Sequence, residues 1–215
     1  VILFGGHGGL CCGELNDTWG WDGTTWTDLS TPARPPTRWN HPLAYDNLRS
    51  RVILVDGDTG QSAIGQWSDT WEWNGADASW LSRGGGPWLD LGRGRMDAFL
   101  SGHAMAFDSG RSRVVVVAFF WGGLRTWEWE GDTNMWTFLP TAGVRPDVGA
   151  GEMVYEGGVR RVLLADPGVD VPWLKAWEWD GRAWADVTPP GPSPASRIQH
   201  AMAYDSKRRE AVLFG

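Results

Sequence analysis

Cysteine is nearly absent: the 215 residues hold two, Cys11 and Cys12, side by side. Neighbouring cysteines strain the usual disulfide geometry, so they read as a pair of loop thiols and fix no redox compartment. Tyrosine is scarce as well, at three residues. No apolar run approaches the ~18 residues that a membrane-spanning helix needs. Nor is there a block of acidic or basic residues; the net charge of −7 is spread along the chain, which argues against a nucleic-acid partner. The chain shows no signal-peptide pattern and no initiator Met. It opens inside an apolar run, Val1-Ile2-Leu3-Phe4-Gly5-Gly6, and closes inside a matching one, Ala211-Val212-Leu213-Phe214-Gly215. It therefore reads as a piece of a longer protein.

Tryptophan, by contrast, is in excess at 17 residues, beside 30 glycines. Twelve of the 17 follow one pattern: Trp-x-Trp and then a third Trp. The pairs are Trp19/Trp21, Trp71/Trp73, Trp127/Trp129 and Trp177/Trp179, followed by Trp26, Trp80, Trp136 and Trp184. The copies start 52, 56 and 50 residues apart, a period that marks a repeated supersecondary unit. Side chains at i and i+2 share one face of an extended strand, so each pair makes a slab of indole. Each Trp buries ~150–250 Å², which at ~25 cal/mol per Å² gives at most ~4–6 kcal/mol. A small sheet cannot cover such a slab by itself, whereas a neighbouring copy of the same sheet can.

Each unit gives three further strand signals. A short run ends in an aromatic and an acid: Tyr45-Asp46, Phe107-Asp108, Tyr155-Glu156 and Tyr204-Asp205. Seven residues after each aromatic an aliphatic run begins, at Val52, Val114, Val162 and Ala211, with Val1–Phe4 as a fifth copy. That constant spacing, with Asn, Ser or Gly after the acid, predicts a tight hairpin. The single Trp predicts the fourth strand, reached through turns such as Asp22-Gly23 and Asp180-Gly181. The expectation is an all-β chain of four-stranded antiparallel sheets stacked face to face.

These residues resemble the kelch repeat family of β-propellers in its bacterial form. The carriers are the aliphatic run ending in Phe4-Gly5-Gly6, the aromatic-acid end of the first strand and the Trp of the fourth, and the likeness spans the whole chain. The family's double glycine is replaced by Asp56-Gly57, Ala118-Phe119 and Asp166-Pro167, so those turns are expected to differ locally. The resemblance implies an open arc of a kelch-type propeller: a partial blade over 1–38, blades over 39–95, 96–148 and 149–197, and a partial blade over 198–215; a closed four-bladed ring is the alternative. Its open edges would invite further blades or a second copy. The family's bacterial members point to an extracellular or cell-envelope location.

In that topology the segments joining strand two to three and strand four to one share a face, and here they are long. The remaining tryptophans, Trp39, Trp67, Trp88, Trp121 and Trp173, all fall in or beside them. Aromatic rings on such a face suit ligand binding; alternatively they cap the ends of the sheets. His41, His103 and His200 share one repeat position, with Gly151 in the remaining, third copy. They join the ligand-binding candidates, although a hydrogen bond internal to each blade is the simpler account, and Arg38 and Arg197, three residues before His41 and His200, fit it. No zinc-like ligand spacing occurs, and no metal or cofactor is implied. Glu72, Glu128 and Glu178 lie on the strand face away from the indoles and need partners, expected from Arg or backbone donors of the adjacent blade. Arg49, Arg51, Arg111, Arg113, Arg160, Arg161 and Lys207–Arg209 crowd the hairpins and are expected to pair at the surface with Asp22, Asp77, Glu130, Asp132 and Asp180.

Three functions fit this reading. The first is a non-catalytic scaffold presenting a Trp-rich loop face to a protein or glycan. The second is the propeller part of an enzyme whose site is incomplete here, either carbohydrate-active or a copper-radical oxidase. Galactose oxidase has a propeller of this type, and its resemblance would imply copper with a Tyr–Cys cross-link. Tyr45, Tyr155 and Tyr204 all hold the repeat position instead, and neither Cys matches. The third is a structural spacer of a surface protein. Fold alone decides none of these.

Overall fold

The computed structural model describes residues 1–9, 13–58, 68–87, 103–120, 123–141, 143–146, 151–167, 171–197 and 200–215. Every element named among them is a strand. The chain divides into two compact units, Val1–Met96 and Asp97–Gly215.

In the first unit β1 (Ile2–His7), β2 (Glu14–Trp21) and β3 (Trp26–Asp28) form a three-stranded sheet. β4 (Leu43–Asp46), β5 (Arg51–Val55), β6 (Asp69–Asn74) and β7 (Ser79–Gly85) form a four-stranded one in chain order. The second unit holds two more four-stranded sheets. One comprises β8 (His103–Asp108), β9 (Arg113–Phe120), β10 (Gly123–Glu130) and β11 (Met135–Leu139). The other comprises β12 (Glu152–Glu156), β13 (Arg161–Asp166), β14 (Lys175–Trp179) and β15 (Trp184–Asp186). A two-stranded sheet, β16 (Ala201–Asp205) with β17 (Glu210–Phe214), follows. All pairings are antiparallel.

The register repeats from sheet to sheet. Val52 faces Trp73 and Leu54 faces Trp71; Val114 and Val116 face Trp129 and Trp127; Val162 and Leu164 face Trp179 and Trp177. The third Trp stands opposite the second of each pair, giving Trp21–Trp26, Trp73–Trp80, Trp129–Trp136 and Trp179–Trp184. Their ring centroids are 5.3, 5.4, 6.2 and 5.4 Å apart, within the range at which aromatic pairs attract.

The constant spacing of the first hairpin also has a cause. Asp46 Oδ1 accepts the backbone N–H of Leu48 and Arg49, and Asp108 and Asp205 do the same for their turns. Ser50, Ser112, Arg160 and Arg209, one residue before each aliphatic strand, take φ of 55–58°. The turn chemistry is thus shared although none of the four is glycine.

Within each unit the indole face of one sheet packs on the opposite face of the sheet before it. In the first unit Phe4 of β1 is buried with Leu54, Trp73 and Trp80. In the second, Ala104, Ala106, Val115, Val117 and Leu124 meet Met153, Val162, Leu164, Trp177, Trp179 and Trp184. One hydrogen bond recurs across both interfaces. Trp80 Nε1 donates to Thr18 Oγ1 at 2.9 Å, and Trp184 Nε1 donates to Thr126 Oγ1 at 3.0 Å. Each joins the fourth strand of one sheet to the third strand of the sheet before it.

The turns that replace the double glycine differ less than expected in one copy. Asp56 and Gly57 have φ of 61° and 121°, beside 53° and 106° for Gly5 and Gly6, because Asp tolerates the left-handed region. Ala118 and Asp166, in contrast, continue as strand.

Candidate functional site

Two of the five extra tryptophans lie among the described residues, and both are braced by backbone pairing. Trp39 N–H donates to Asp58 O at 3.2 Å, and Asp58 N–H returns the bond to Trp39 O at 2.8 Å. Trp173 is bridged to Ala195, with Leu174 N–H donating to Pro194 O at 2.9 Å and Ser196 N–H to Pro172 O at 3.0 Å. Their side chains stay open to solvent: Trp39 is 37% exposed and Trp173 45%, whereas Trp73, Trp127, Trp129, Trp177 and Trp179 are at 0–2%. The His7 ring stands edge-on to Trp39 with centroids 6.2 Å apart. Trp67, Trp88 and Trp121 lie outside the described residues, as do Cys11 and Cys12.

The histidines occupy crowded places in their own sheets. His41 packs edge-on against Phe4, centroids 5.6 Å apart, and a Cβ built on Gly57 would fall 3.0 Å from His41 Cβ. His103 opens β8 half-buried. His200 is 3% exposed. Burial holds its imidazole below the usual histidine range and the Arg197 charge adds to this, while the backbone groups of Arg197 and Ala165 act the other way. The third copy has no room for a ring, since a Cβ on Gly151 would lie 2.6 Å from Leu164 Cδ1 and 2.7 Å from Ala165 O. Among the described residues no group of three or more His, Cys, Asp or Glu side chains converges.

The arginines ahead of His41 and His200 act as clamps. Arg38 is fully buried. Its Nε donates to Pro36 O and its Nη1 to Asp56 O, and both terminal nitrogens grip Asp69, at 2.6 and 2.8 Å. Arg197 repeats the backbone half of this clamp, with Nε on Ala195 O and Nη1 on Gly215 O.

The glutamates between the paired tryptophans correct an expectation, for their arginine partners come from their own sheet. Glu72 is held by Arg49 and Arg83, Glu128 by Arg111, and Glu178 by Arg161 at 2.6 Å. Glu128 also accepts a hydrogen bond from the neighbouring sheet, from Trp179 Nε1 at 3.1 Å. Arg49 and Arg111 also donate through Nε to Asp46 and Asp108, each at 2.7 Å. Burial by itself would lower the Arg111 guanidinium, but Glu128 and Asp108 outweigh it and hold it above its ordinary value. Of the surface pairings expected between hairpins, Arg113–Glu130 is made at 2.7 Å.

One feature escaped the sequence reading. A cavity of about 270 Å³ opens where β10 begins and β11 ends, lined by Leu124, Arg125, Phe138, Leu139, Pro140, Thr141 and Arg145. The residue that precedes the Thr-Trp-x-Trp or Ala-Trp-x-Trp is acidic in two copies, Asp17 and Asp69, and basic in two, Arg125 and Lys175.

No protein-family model matches this chain, nor does any curated protein. Among the described residues no helix is long and apolar enough to cross a membrane.

Proposed function

We infer that the chain is part of a kelch-type β-propeller serving as a non-catalytic binding scaffold, with the long-loop ends of its sheets turned to a protein or glycan. Its four-stranded sheets would be the blades over 39–95, 96–148 and 149–197, flanked by partial blades over 1–38 and 198–215. The repeated register, the sheet-on-sheet indole faces and the recurrent Trp–Thr hydrogen bond support that arrangement. Further blades or a second copy would occupy the open strand edges, and an extracellular or envelope setting follows from the resemblance.

One observation carries the functional half: Trp39 and Trp173 are fixed by backbone bridges yet keep their rings in solvent. Leaving so much indole wet forfeits a large burial gain, and a rigid, exposed aromatic is the usual anchor of a binding surface. The test is binding to glycan and peptide arrays. The Trp39→Ala/Trp173→Ala variant should keep its thermal unfolding midpoint and lose the recognised ligand. Retained binding by a folded double variant would remove these rings from the site.

A further inference from the structure

We propose that the turn after β6 carries a site of self-modification, Asn74-Gly75, at which the asparagine side chain is converted to a carboxylate. The proposal is independent of what the loop ends of the sheets bind.

The repeat singles the position out. The residue after the second Trp of each pair is Asp22, Glu130 and Asp180 in three copies and Asn74 in the remaining one, and the dipeptide Asn-Gly occurs nowhere else in the chain. Asparagine is among the thermolabile side chains. Its weak point is the amide carbon, open to attack by the backbone nitrogen of the next residue when no side chain there stands in the way. Glycine at 75 leaves that approach clear.

The backbone does not ask for glycine there. Gly23 and Gly181, in the same place in their turns, take φ of 108° and 97°, which glycine alone adopts readily. Gly75 lies outside that region, and a Cβ built on it would meet only Trp73 Nε1, 3.9 Å away.

The turn also presents the amide to its attacker. Asn74 ends β6 half-buried, with Gly75 and Ala76 exposed after it. Ala76 N–H donates to Asn74 Oδ1 at 3.1 Å, which folds the side chain back over the Gly75 peptide as in an Asx-turn. That N–H points at the oxygen on which charge gathers when the carbon is attacked, and so stabilises it. Two ionised groups face the amide. Arg51 stands opposite Asn74 in the β5–β6 register. Asp77 accepts a hydrogen bond from the Asn74 amide and another from Ser79 Oγ, the latter at 2.6 Å. In the β8–β11 sheet the matching pair, Arg113 and Glu130, meets at 2.7 Å, so Arg51 is placed to receive the new carboxylate.

The chemistry needs only water. Gly75 N gives up its proton to solvent and bonds to Asn74 Cγ. The bond from Cγ to the side-chain nitrogen breaks, and that nitrogen takes a proton from solvent and leaves as ammonia. Water then opens the cyclic imide at one of its two carbonyls. Opening at Cγ gives aspartate; opening at the main-chain carbonyl carbon gives isoaspartate, with the backbone routed through the side chain. Nothing is oxidised or reduced. Asp22-Gly23 and Asp180-Gly181 do not compete, because backbone N–H groups of Thr25 and Ala183 hold their carboxyls below the ordinary aspartate range, and an ionised carboxylate resists attack.

Peptide mass mapping of the 215-residue chain after incubation in warm, mildly alkaline buffer tests the site. The peptide holding Asn74 should give way to two products, each heavier by the exchange of NH2 for OH. One should match the same peptide from an Asn74→Asp chain, and the other should accept a methyl group from an isoaspartate-specific methyltransferase. Peptides holding Asn16, Asn40, Asn47 and Asn134 should stay unchanged over that interval, although Asn47 is exposed as well. Gly75→Ala should keep the folded circular dichroism and the unfolding midpoint and slow the loss of Asn74 severalfold. Aspartate without isoaspartate would mean direct hydrolysis and overturns the proposal. So does equal loss at the other asparagines, or an unchanged rate in Gly75→Ala. Conversion in urea but not in buffer would show that the fold protects Asn74, and overturns it too. Should Gly75→Ala fail to fold, the comparison of buffer with urea on the unmodified chain still decides.

Discussion

Between the two tryptophans of each pair sits a residue whose partners decide how much it contributes. Glu128 is the richest case: it accepts from Arg111 of its own sheet and from Trp179 Nε1 of the next. Glu178 has Arg161, which is 46% exposed. In the first copy Gly20 takes the place of the glutamate, Leu29 fills the space where its Cβ would be, and Trp73 Nε1 is buried without a hydrogen-bond partner. Breaking a buried ion pair from one side costs about 3–5 kcal/mol. Arg111 is 30% exposed, so Glu128→Ala should cost somewhat less, roughly 2–3 kcal/mol. Glu178→Ala, a pair nearer the surface, should cost about 0–1 kcal/mol. Urea unfolding of the two variants checks the order; equal midpoints would mean that Trp179 and Arg111 find other acceptors. Strand periodicity alone put these carboxylates opposite the indoles. It left their partners unread, since Arg49 and Arg111 reach back over their own sheet from a turn whose geometry depends on Asp46 and Asp108.

At the scale of elements, the joint between sheets and the turn within them are both repeated devices. The Trp184–Thr126 hydrogen bond is buried on both sides. Thr126→Val leaves the indole N–H without its acceptor and should destabilise by about 1–3 kcal/mol. Trp184→Phe removes the donor and indole area together. Because both changes break the same contact, the double variant should lose less than the two single losses added, and strict additivity in urea unfolding would show that the bond contributes nothing. The turns predict an acid response. Backbone N–H groups of Thr25, Ala183 and Arg208 hold the carboxyls of Asp22, Asp180 and Asp205 below the ordinary aspartate range. A carboxyl whose pKa is lowered on folding stabilises the fold above its unfolded value, near ~3.9, and loses that contribution as pH falls through the folded value. The melting temperature should therefore decline below about pH 4, and more shallowly in the Asp22→Asn/Asp180→Asn variant. An unchanged slope would assign the acid response to other carboxylates. These turns were legible as Asp-Gly dipeptides and a constant spacing. The left-handed Ser50, Ser112, Arg160 and Arg209 were not, because nothing in their side chains announces a positive φ.

For the whole molecule, repetition made the strands and their indole faces readable, while residues outside the repeat carry what was missed: the exposure of Trp39 and Trp173. Repetition also says what the open edges should accept. β17 pairs only with β16 among the described residues, and β1 only with β2. Val212 and Phe214 are 54% and 84% exposed where Ile53, Val55 and Val115 are at 0%. Ile2-Leu3-Phe4-Gly5 and Val212-Leu213-Phe214-Gly215 are near-identical runs, so either can serve as the second strand beside β2. The clamp residues agree. Arg197 holds its backbone carbonyls as Arg38 does, but among the described residues it meets no acidic partner such as Arg38 has in Asp69. Asp17, the repeat equivalent of Asp69, has a buried Oδ1 with no hydrogen-bond partner among the described residues. If a second copy exchanges strands here, the β16–β17 hairpin of one chain should displace β1 from β2 of the other and complete that sheet, with Arg197 on Asp17. Sedimentation should then show concentration-dependent association of the chain. Asp17→Arg and Arg197→Asp should each weaken it by roughly tenfold or more, as for a closely paired interfacial charge, and the combined exchange should restore it because the opposite charges meet again. A chain monomeric at every concentration, or a double variant no better than either single one, would leave those edges to a different partner.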